Sequence, residues 1–366
     1  MKRSYLIVIT AVVALLALLP TARSTLASKG RIHQGQVEIK SIVAAKPARS
    51  ARTITIALEP AGTIPLEFLK RAPYLSKLKF DGSGNIYLRT YSPQERKNQV
   101  QWFKLDPTTL RHEKISIPGM HADEQLGEIA LGDHGKVYAA LALPTRRGAI
   151  AMIAPNGSLV SRIDTGSFVI HKLVVDRNGR LWASGQLFEA SAPDAKLADS
   201  QIRVYDQSGQ LLAAPLGGLE VGDSSLSEFA VDDAGAKFIS HSQSALYQFV
   251  DTAFESAYRR PFESSSDMSQ DNLRPTSPED QREVDGIVNL GQMRLWWGRI
   301  ETKDGTAGES FVGITTAKGE ALTPEVKLPA EYASLAGVDG DGNIYAYSRN
   351  GDNIGLKKAR LILSEK

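Results

Sequence analysis

Four charged residues recur at one place in this 366-residue chain. Lys77, Glu128, Lys172 and Glu228 each stand seven residues before a turn glycine, at Gly84, Gly135, Gly179 and Gly235, and their signs alternate. Asp285 joins the series beside a shifted turn, Leu335 breaks it, and His171 directly precedes Lys172. Gathered around an axis, the set Lys77, Glu128, His171, Lys172, Glu228 and Asp285 would line a polar constriction able to bind a small zwitterion, sugar or ion. It would equally serve as a self-neutralising structural ring, because buried charges need partners. Glu128, His171, Glu228 and Asp285 are also the groups from which a hydrolase or lyase would draw an acid, a base or metal ligands.

Recognised catalytic patterns are missing from the sequence. No G-x-S-x-G, H-E-x-x-H, P-loop or G-x-G-x-x-G occurs, and there is no cysteine for a disulfide or thiolate–metal site. Asp339, Asp341 and Asn343 imitate the start of a calcium loop, but Ile344 stands where the sharp-turn glycine belongs and Asn350 where a closing Glu is needed. An ordinary hairpin turn is the expectation there. The six histidines (33, 112, 121, 134, 171 and 241) lack short ligand spacing. No catalytic residue and no metal are therefore expected, with Ca2+ as the alternative cofactor if the acids above do chemistry.

The elements that must position these residues come from an internal repeat. Leu78–Tyr87 (LKFDGSGNIY), Ile129–Tyr138 (IALGDHGKVY), Leu173–Trp182 (LVVDRNGRLW), Phe229–Phe238 (FAVDDAGAKF) and Ala336–Tyr345 (AGVDGDGNIY) share one pattern: alternating apolar residues, a turn, a Gly, and an aromatic three residues later. Alternation supplies two strands. A short Asp acceptor and a Gly that takes positive φ cheaply supply the hairpin between them. The second copy carries Asp133 one place late, so its turn should differ. Spacings between the turn glycines are 51, 44, 56 and 107 residues, and a copy at Val284–Trp297 divides the last gap.

A second hairpin follows most copies, at Met152–Val160, Val204–Leu212 and Val312–Leu322. Four strands per repeat of 44 to 56 residues is the blade of a β-propeller. The expected fold is all-β: a six-bladed β-propeller over 52–366. Arg360–Ser364 can supply only the third strand of the last blade, so Arg52–Leu58 is expected to pair there and close the ring, removing two exposed edges.

The repeat, as in LVVDRNGRLW at 173–182, resembles NHL-repeat and related six-bladed propellers, a broad group that also contains calcium-dependent sugar lactonases. The resemblance covers residues 52–366 and implies a ligand funnel on the face where the first strand of each blade begins. It does not imply one function, since such folds host lactonases, lyases, sensors and scaffolds. The lactonases use an early Glu with axial Asn and Asp. Glu59 is the comparable early acid here, but ALEPAGTIP at 57–65 departs from their pattern, and Asn289 alone could serve as a funnel-facing Asn. A lyase of the streptogramin-cleaving kind would need a His pair that His171 alone begins to supply.

Two long polar insertions, 188–201 and 261–283, map to the funnel face. Insertions of this length are either functional covers or disordered segments. Trp182, Trp296, Tyr87, Tyr138, Phe238 and Tyr345 recur at one repeat position and are expected to pack blades. Trp297 is the exception, since adjacent tryptophans cannot face the same side of a strand.

Lys2 and Arg3 precede an apolar run from Leu6 to Leu19, then Pro20 and small residues, the layout of a signal peptide over 1–27 with cleavage before Ser28. Residues 28–51 read as a flexible linker. Removing 1–27 takes away Lys2, Arg3 and Arg23 and no acid, so a net charge of +2 becomes −1. That balance argues against a nucleic-acid partner, which needs a basic surplus. The sequence thus predicts an exported, periplasmic or secreted, monomeric protein with no membrane span after processing. It would bind a small polar ligand or another protein in the funnel without catalysing a reaction, a calcium-assisted hydrolase or lyase being the alternative.

Overall fold

Period-two alternation places one side chain of every pair on each face of a strand, so a segment with both faces apolar can be buried only between two sheets. The computed structural model of the chain meets that demand with six four-stranded antiparallel sheets. The residues described are 54–69, 74–91, 100–188, 202–215, 226–232, 235–240, 245–250, 253–259, 281–301, 309–316, 322–323, 326–351 and 353–365. The leader and linker assigned to 1–51 lie outside them, as do residues 189–201 and 261–280 of the two insertions. Residues 281–283 of the second insertion belong instead to a strand.

The first strand, β1 (Ile54–Pro65), is set aside from its chain neighbours. Sheet I holds β2 (Tyr74–Phe80), β3 (Ile86–Tyr91), β4 (Val100–Leu105) and β5 (His112–Lys114). Sheet II holds β6 (Gln125–Leu131), β7 (Val137–Leu143), β8 (Arg147–Ile153) and β9 (Leu159–Gly166). Sheet III is β10 (Phe168–Val175), β11 (Leu181–Leu187), β12 (Ile202–Tyr205) and β13 (Leu211–Ala213). Sheet IV is β14 (Leu226–Asp232), β15 (Gly235–Ser240), β16 (Ala245–Val250) and β17 (Ala253–Arg259). Sheet V is β18 (Gln281–Leu290), β19 (Met293–Glu301), β20 (Ser310–Thr316) and β21 (Val326–Lys327), the last falling beyond the expected 322. Sheet VI runs β1, β24 (Asn353–Glu365), β23 (Asn343–Asn350), β22 (Leu335–Val338).

Consecutive sheets share apolar layers. Tyr87 and Trp102 of sheet I pack with Ile129 and Leu141 of sheet II. Tyr138 and Ile150 of sheet II meet Phe168 and Ile170 of sheet III. β14 lies against both β10 and β18. Leu295 and Trp297 of sheet V join Leu335 and Val338 of sheet VI, and Ala336 and Leu356 of sheet VI join Leu78 and Leu88 of sheet I. The last sheet therefore abuts the first.

The closing strand pairs as expected and runs further. Its register extends from Ile54↔Glu365 to Pro65↔Gly355, with a bulge between Pro60 and Gly62. Beyond it, Leu66 N–H donates to the Ile354 carbonyl at 2.8 Å, and Leu66 and Leu69 enter the core shared by sheets VI and I. Phe68 stacks on His112 with ring centroids 4.0 Å apart. One short segment thus fastens sheet VI to sheet I.

In three copies the repeat's Asp and its aromatic prove to be hydrogen-bonding partners: Asp81 with Tyr87, Asp176 with Trp182 and Asp339 with Tyr345. Asp81 Oδ1 accepts from the backbone N–H of Ser83 and Asn85, both at 2.9 Å, and Oδ2 from the Tyr87 hydroxyl at 3.2 Å. Asp339 repeats this with Asp341 N, Asn343 N, Asn343 Nδ2 and the Tyr345 hydroxyl. Its oxygens are thus spent on a hairpin turn. Burial, with the adjacent aspartate next in weight, pushes the hydroxyls of Tyr87 and Tyr345 far above the usual phenol range. In the second copy, Gly132 stands in place of the Asp, and a Cβ there would lie 2.7 Å from the Tyr138 ring as that ring is packed. The fifth copy needs no Asp, since Leu290 pairs with Met293 across a two-residue loop with Gly291 at φ +62.

Gly179 has φ +74. Gly179→Val should lower stability by about 1–3 kcal/mol, chiefly from the backbone conformation a β-branched residue resists. The nearest atom to a Cβ there is the flexible Gln207 amide. An unchanged urea midpoint would contradict this.

Candidate functional site on the sheet axis

β2, β6, β10, β14, β18 and β22 are the inner strands, each packed beside the inner strand or inner face of a neighbouring sheet. Their side chains alternate between two packed faces, so a regular inner strand offers the axis little besides backbone. A β-bulge is the device that re-aims a side chain. Every inner strand carries one at the same height, between Leu75 and Leu78, Leu126 and Ile129, Ile170 and Lys172, Leu226 and Glu228, Val284 and Gly286, and Leu335 and Gly337.

The residues left outside the ladder include Lys77, Glu128, His171, Ser227, Asp285 and Ala336. Of the six predicted positions, Lys77, Glu128, His171 and Asp285 are thus bulge residues. Lys172 and Glu228 are one place later and pair in register with Ser184 and Ile239. The side chain of Glu228 lies outside the described residues. Counting back from the turn glycine cannot reveal the bulge, which moves the unpaired position by one or two residues between sheets.

Two cations that the sequence reading omitted complete the ring. Lys79 Nζ lies 3.0 Å from Glu128 Oε1, joining sheets I and II. Lys79 also sits 6.0 Å over the Trp102 ring, and Trp102 Nε1 donates to the Gly127 carbonyl at 3.0 Å, pinning the bulge from the neighbouring sheet. Arg299 grips Asp285 with two donors, Nε to Oδ2 at 2.8 Å and Nη2 to Oδ1 at 3.3 Å. The signal was available for Lys79 alone, two residues from Lys77 on the same strand. Arg299 sits on β19, where only the register brings it to Asp285.

Lys77 Nζ lies 3.6 Å from Asp285 Oδ1. This pair joins sheet I to sheet V past sheet VI, whose own bulge residue is Ala336. Among the described side chains, the ion pairs at these positions join Glu128 to Lys79, and Asp285 to Arg299 and Lys77.

His171 is solvent-exposed by surface area, while the protein around it, and secondarily Lys172, hold its pKa below the ordinary imidazole value. His171 should be largely neutral at pH 7. Lys172→Gln should raise its pKa, the lesser cause having been removed, as followed by ring-proton NMR; no change would deny Lys172 its influence.

Other candidates fall away. Glu59 is exposed on the outermost strand of sheet VI, opposite Arg360, remote from the axis. Trp297 is 8% exposed in the layer between sheets V and VI, its ring over Gly286, and offers no sugar platform. Trp182 and Trp296 are buried, as expected of packing residues. Among the described residues, no three His, Asp or Glu side chains converge as a metal site requires. The sequence reading also passed over the turn after β7, where Thr145 and Arg146 take positive φ (65° and 60°) and Arg146 lies 5.3 Å over the Phe188 ring.

No family model and no curated protein match the sequence. Solved structures do match. The PQQ-bound aldose sugar dehydrogenase of Streptomyces coelicolor aligns with a TM-score of 0.51 at 12% identity, over 84% of this chain and 99% of its own. A member of the DUF4221 family from Bacteroides vulgatus aligns with a TM-score of 0.53 at 13% identity, again over 84% and 99%. The chain has a β-propeller fold. At these identities the likeness extends to the fold and no further, so the chemistry of this propeller rests on its own axial residues.

Proposed function

We propose that this propeller is an exported binding module whose ligand enters the axis and meets the bulge residues Lys77, Glu128, His171 and Asp285, with Lys172 and Glu228 beside them. The observation carrying this reading is the repeated inner-strand bulge. A bulge costs ladder hydrogen bonds, and a sheet serving packing alone has no use for one at the same height in every copy. The six sheets are read as six blades of an NHL-like ring, 1–27 as a cleaved leader and 28–51 as a tether. The insertions 188–201 and 261–283 are read as covers of the funnel face, and the protein as a monomer of the cell envelope. No catalytic step is assigned.

The calcium-assisted hydrolase or lyase draws little support from the pairings at the axis. Glu128 and Asp285 are already held by Lys79 and Arg299, and a calcium ion would have to displace both cations. Calorimetric titration with calcium should therefore show no stoichiometric binding. Tight binding that Glu228→Gln abolishes would replace the binding module with the enzyme.

A further inference from the structure

We propose that the Asn350–Gly351 pair is a site of self-modification, at which Asn350 loses its side-chain amide to attack by the backbone and becomes an aspartyl or isoaspartyl residue. The chemistry needs no partner but water. The Gly351 backbone nitrogen bonds to Asn350 Cγ, its proton and the side-chain amine leave together as ammonia, and a five-membered imide remains. Water then opens the imide at either carbonyl. Attack at Cγ gives aspartate, and attack at the backbone carbonyl gives isoaspartate, with the chain routed through the former side chain. A glycine after the asparagine favours closure, having no side chain to obstruct the ring. Three Asn-Gly pairs occur in the chain, beginning at Asn156, Asn178 and Asn350. All three asparagines are exposed, so contact with water does not distinguish them.

Their turns do. Gly179 N–H closes its turn by donating to the Asp176 carbonyl at 2.9 Å, and Gly157 N–H closes the turn between β8 and β9 by donating to the Ala154 carbonyl at 2.8 Å. Attack by either nitrogen first costs that bond. The Asn156 amide is held as well, its Oδ1 accepting from Ser158 N–H at 3.0 Å and from the Ser158 hydroxyl at 2.8 Å. Asn350 stands in a different turn. It pairs with Asn353 across a two-residue loop that Gly351 opens at φ +61, and the bonds closing such a loop belong to the flanking pair. Gly351 N–H has no acceptor among the described residues, and a Cβ there would meet nothing within 4 Å. The change falls beside the seam of the ring. The next rungs of the hairpin are Arg349↔Ile354 and Ser348↔Gly355. The Ile354 carbonyl accepts from Leu66 N–H at 2.8 Å, and Gly355 pairs with Pro65. An isoaspartate adds a methylene to the backbone next to these contacts, together with a negative charge.

The test incubates the full chain in mildly alkaline buffer, folded and in concentrated urea, and follows each Asn-Gly pair by peptide mapping with mass spectrometry. In the folded chain Asn350 should convert at least about fivefold faster than Asn156 or Asn178, the factor expected from one backbone hydrogen bond. In urea, where the turns are gone, the three rates should converge. Asn350→Gln, whose longer side chain closes the ring poorly, should cut ammonia release from the folded chain to that of the two slow pairs, with an unchanged thermal melt. Hydrogen exchange of the Leu66 amide should quicken in the isoaspartyl form. Conversion of Asn156 or Asn178 as fast as Asn350 in the folded chain overturns the assignment, and so does a spread of rates that survives urea. Unchanged exchange at Leu66 overturns the effect on the seam.

Discussion

A chain lacking Ile54–Pro65 should lose roughly 3–6 kcal/mol of stability, or fail to fold, although no proposed ligand contact is touched. Ile54 and Ile64 are 7% and 9% exposed, and burying such side chains contributes about 1.5–3 kcal/mol each. The ladder hydrogen bonds to β24 add modestly, at about 0.5–1.5 kcal/mol each, against the entropy of ordering the strand. Ile54 also packs into the layer between sheets V and VI, so its loss opens a second sheet. The 13-residue β24 would become an exposed edge able to pair with another chain. Urea denaturation and light scattering measure both effects. A deletant with the parental midpoint and no association would show that β1 does not hold the ring together.

Asp176→Ala should cost about 1.5–3 kcal/mol, and Asp206→Ala distinctly less, although both remove the Asp of an Asp-x-x-Gly turn. Asp176 is 6% exposed and accepts from Asn178 N, Arg180 N, Arg180 Nε at 2.6 Å and Trp182 Nε1 at 3.0 Å. Trp182 is fully buried. Truncating Asp176 therefore removes a buried acceptor that serves the Trp182 indole N–H and the Arg180 guanidinium together, which is more costly than losing turn bonds that solvent can replace. Asp206 holds Ser208 N, Ser208 Oγ and Gln210 N near the surface, where water substitutes for it. Hydrogen bonds from Ser208, chiefly from its hydroxyl, hold the Asp206 carboxyl below the usual carboxylate range. Equal losses in the two variants would refute the claim that the aromatic partner distinguishes them.

This contrast shows what the repeat encodes. The Asp, the Gly and the aromatic look like separate turn and packing signals in the sequence, but around Asp81, Asp176 and Asp339 the Asp and the aromatic form one hydrogen-bonded unit that fastens an inner hairpin to the blade interior. Two copies without the Asp are built differently. Gly132 makes room for Tyr138, and the fifth copy closes with a two-residue loop while Trp296 Nε1 turns to Thr315 Oγ1 at 2.8 Å.

Strand identity, the repeat, the hairpin turns and the use of an N-terminal strand to finish the last sheet were legible in the sequence. All four depend on period-two alternation and on turn residues acting over a few positions. The site was legible in part. Lys77, Glu128, His171 and Asp285 could be named because they keep nearly constant distances from the turn glycine. Their partners could not, because Lys79 meets Glu128 across a sheet boundary, and Arg299 meets Asp285 through strand register. Ring closure likewise brings Lys77 past Ala336 to a sheet more than 200 residues further along the chain. Local spacing determines which residues stand at the inner edge, and only packing in three dimensions decides which charges are spent on one another and which face the axis, because Coulomb interactions depend on distance through space and on burial.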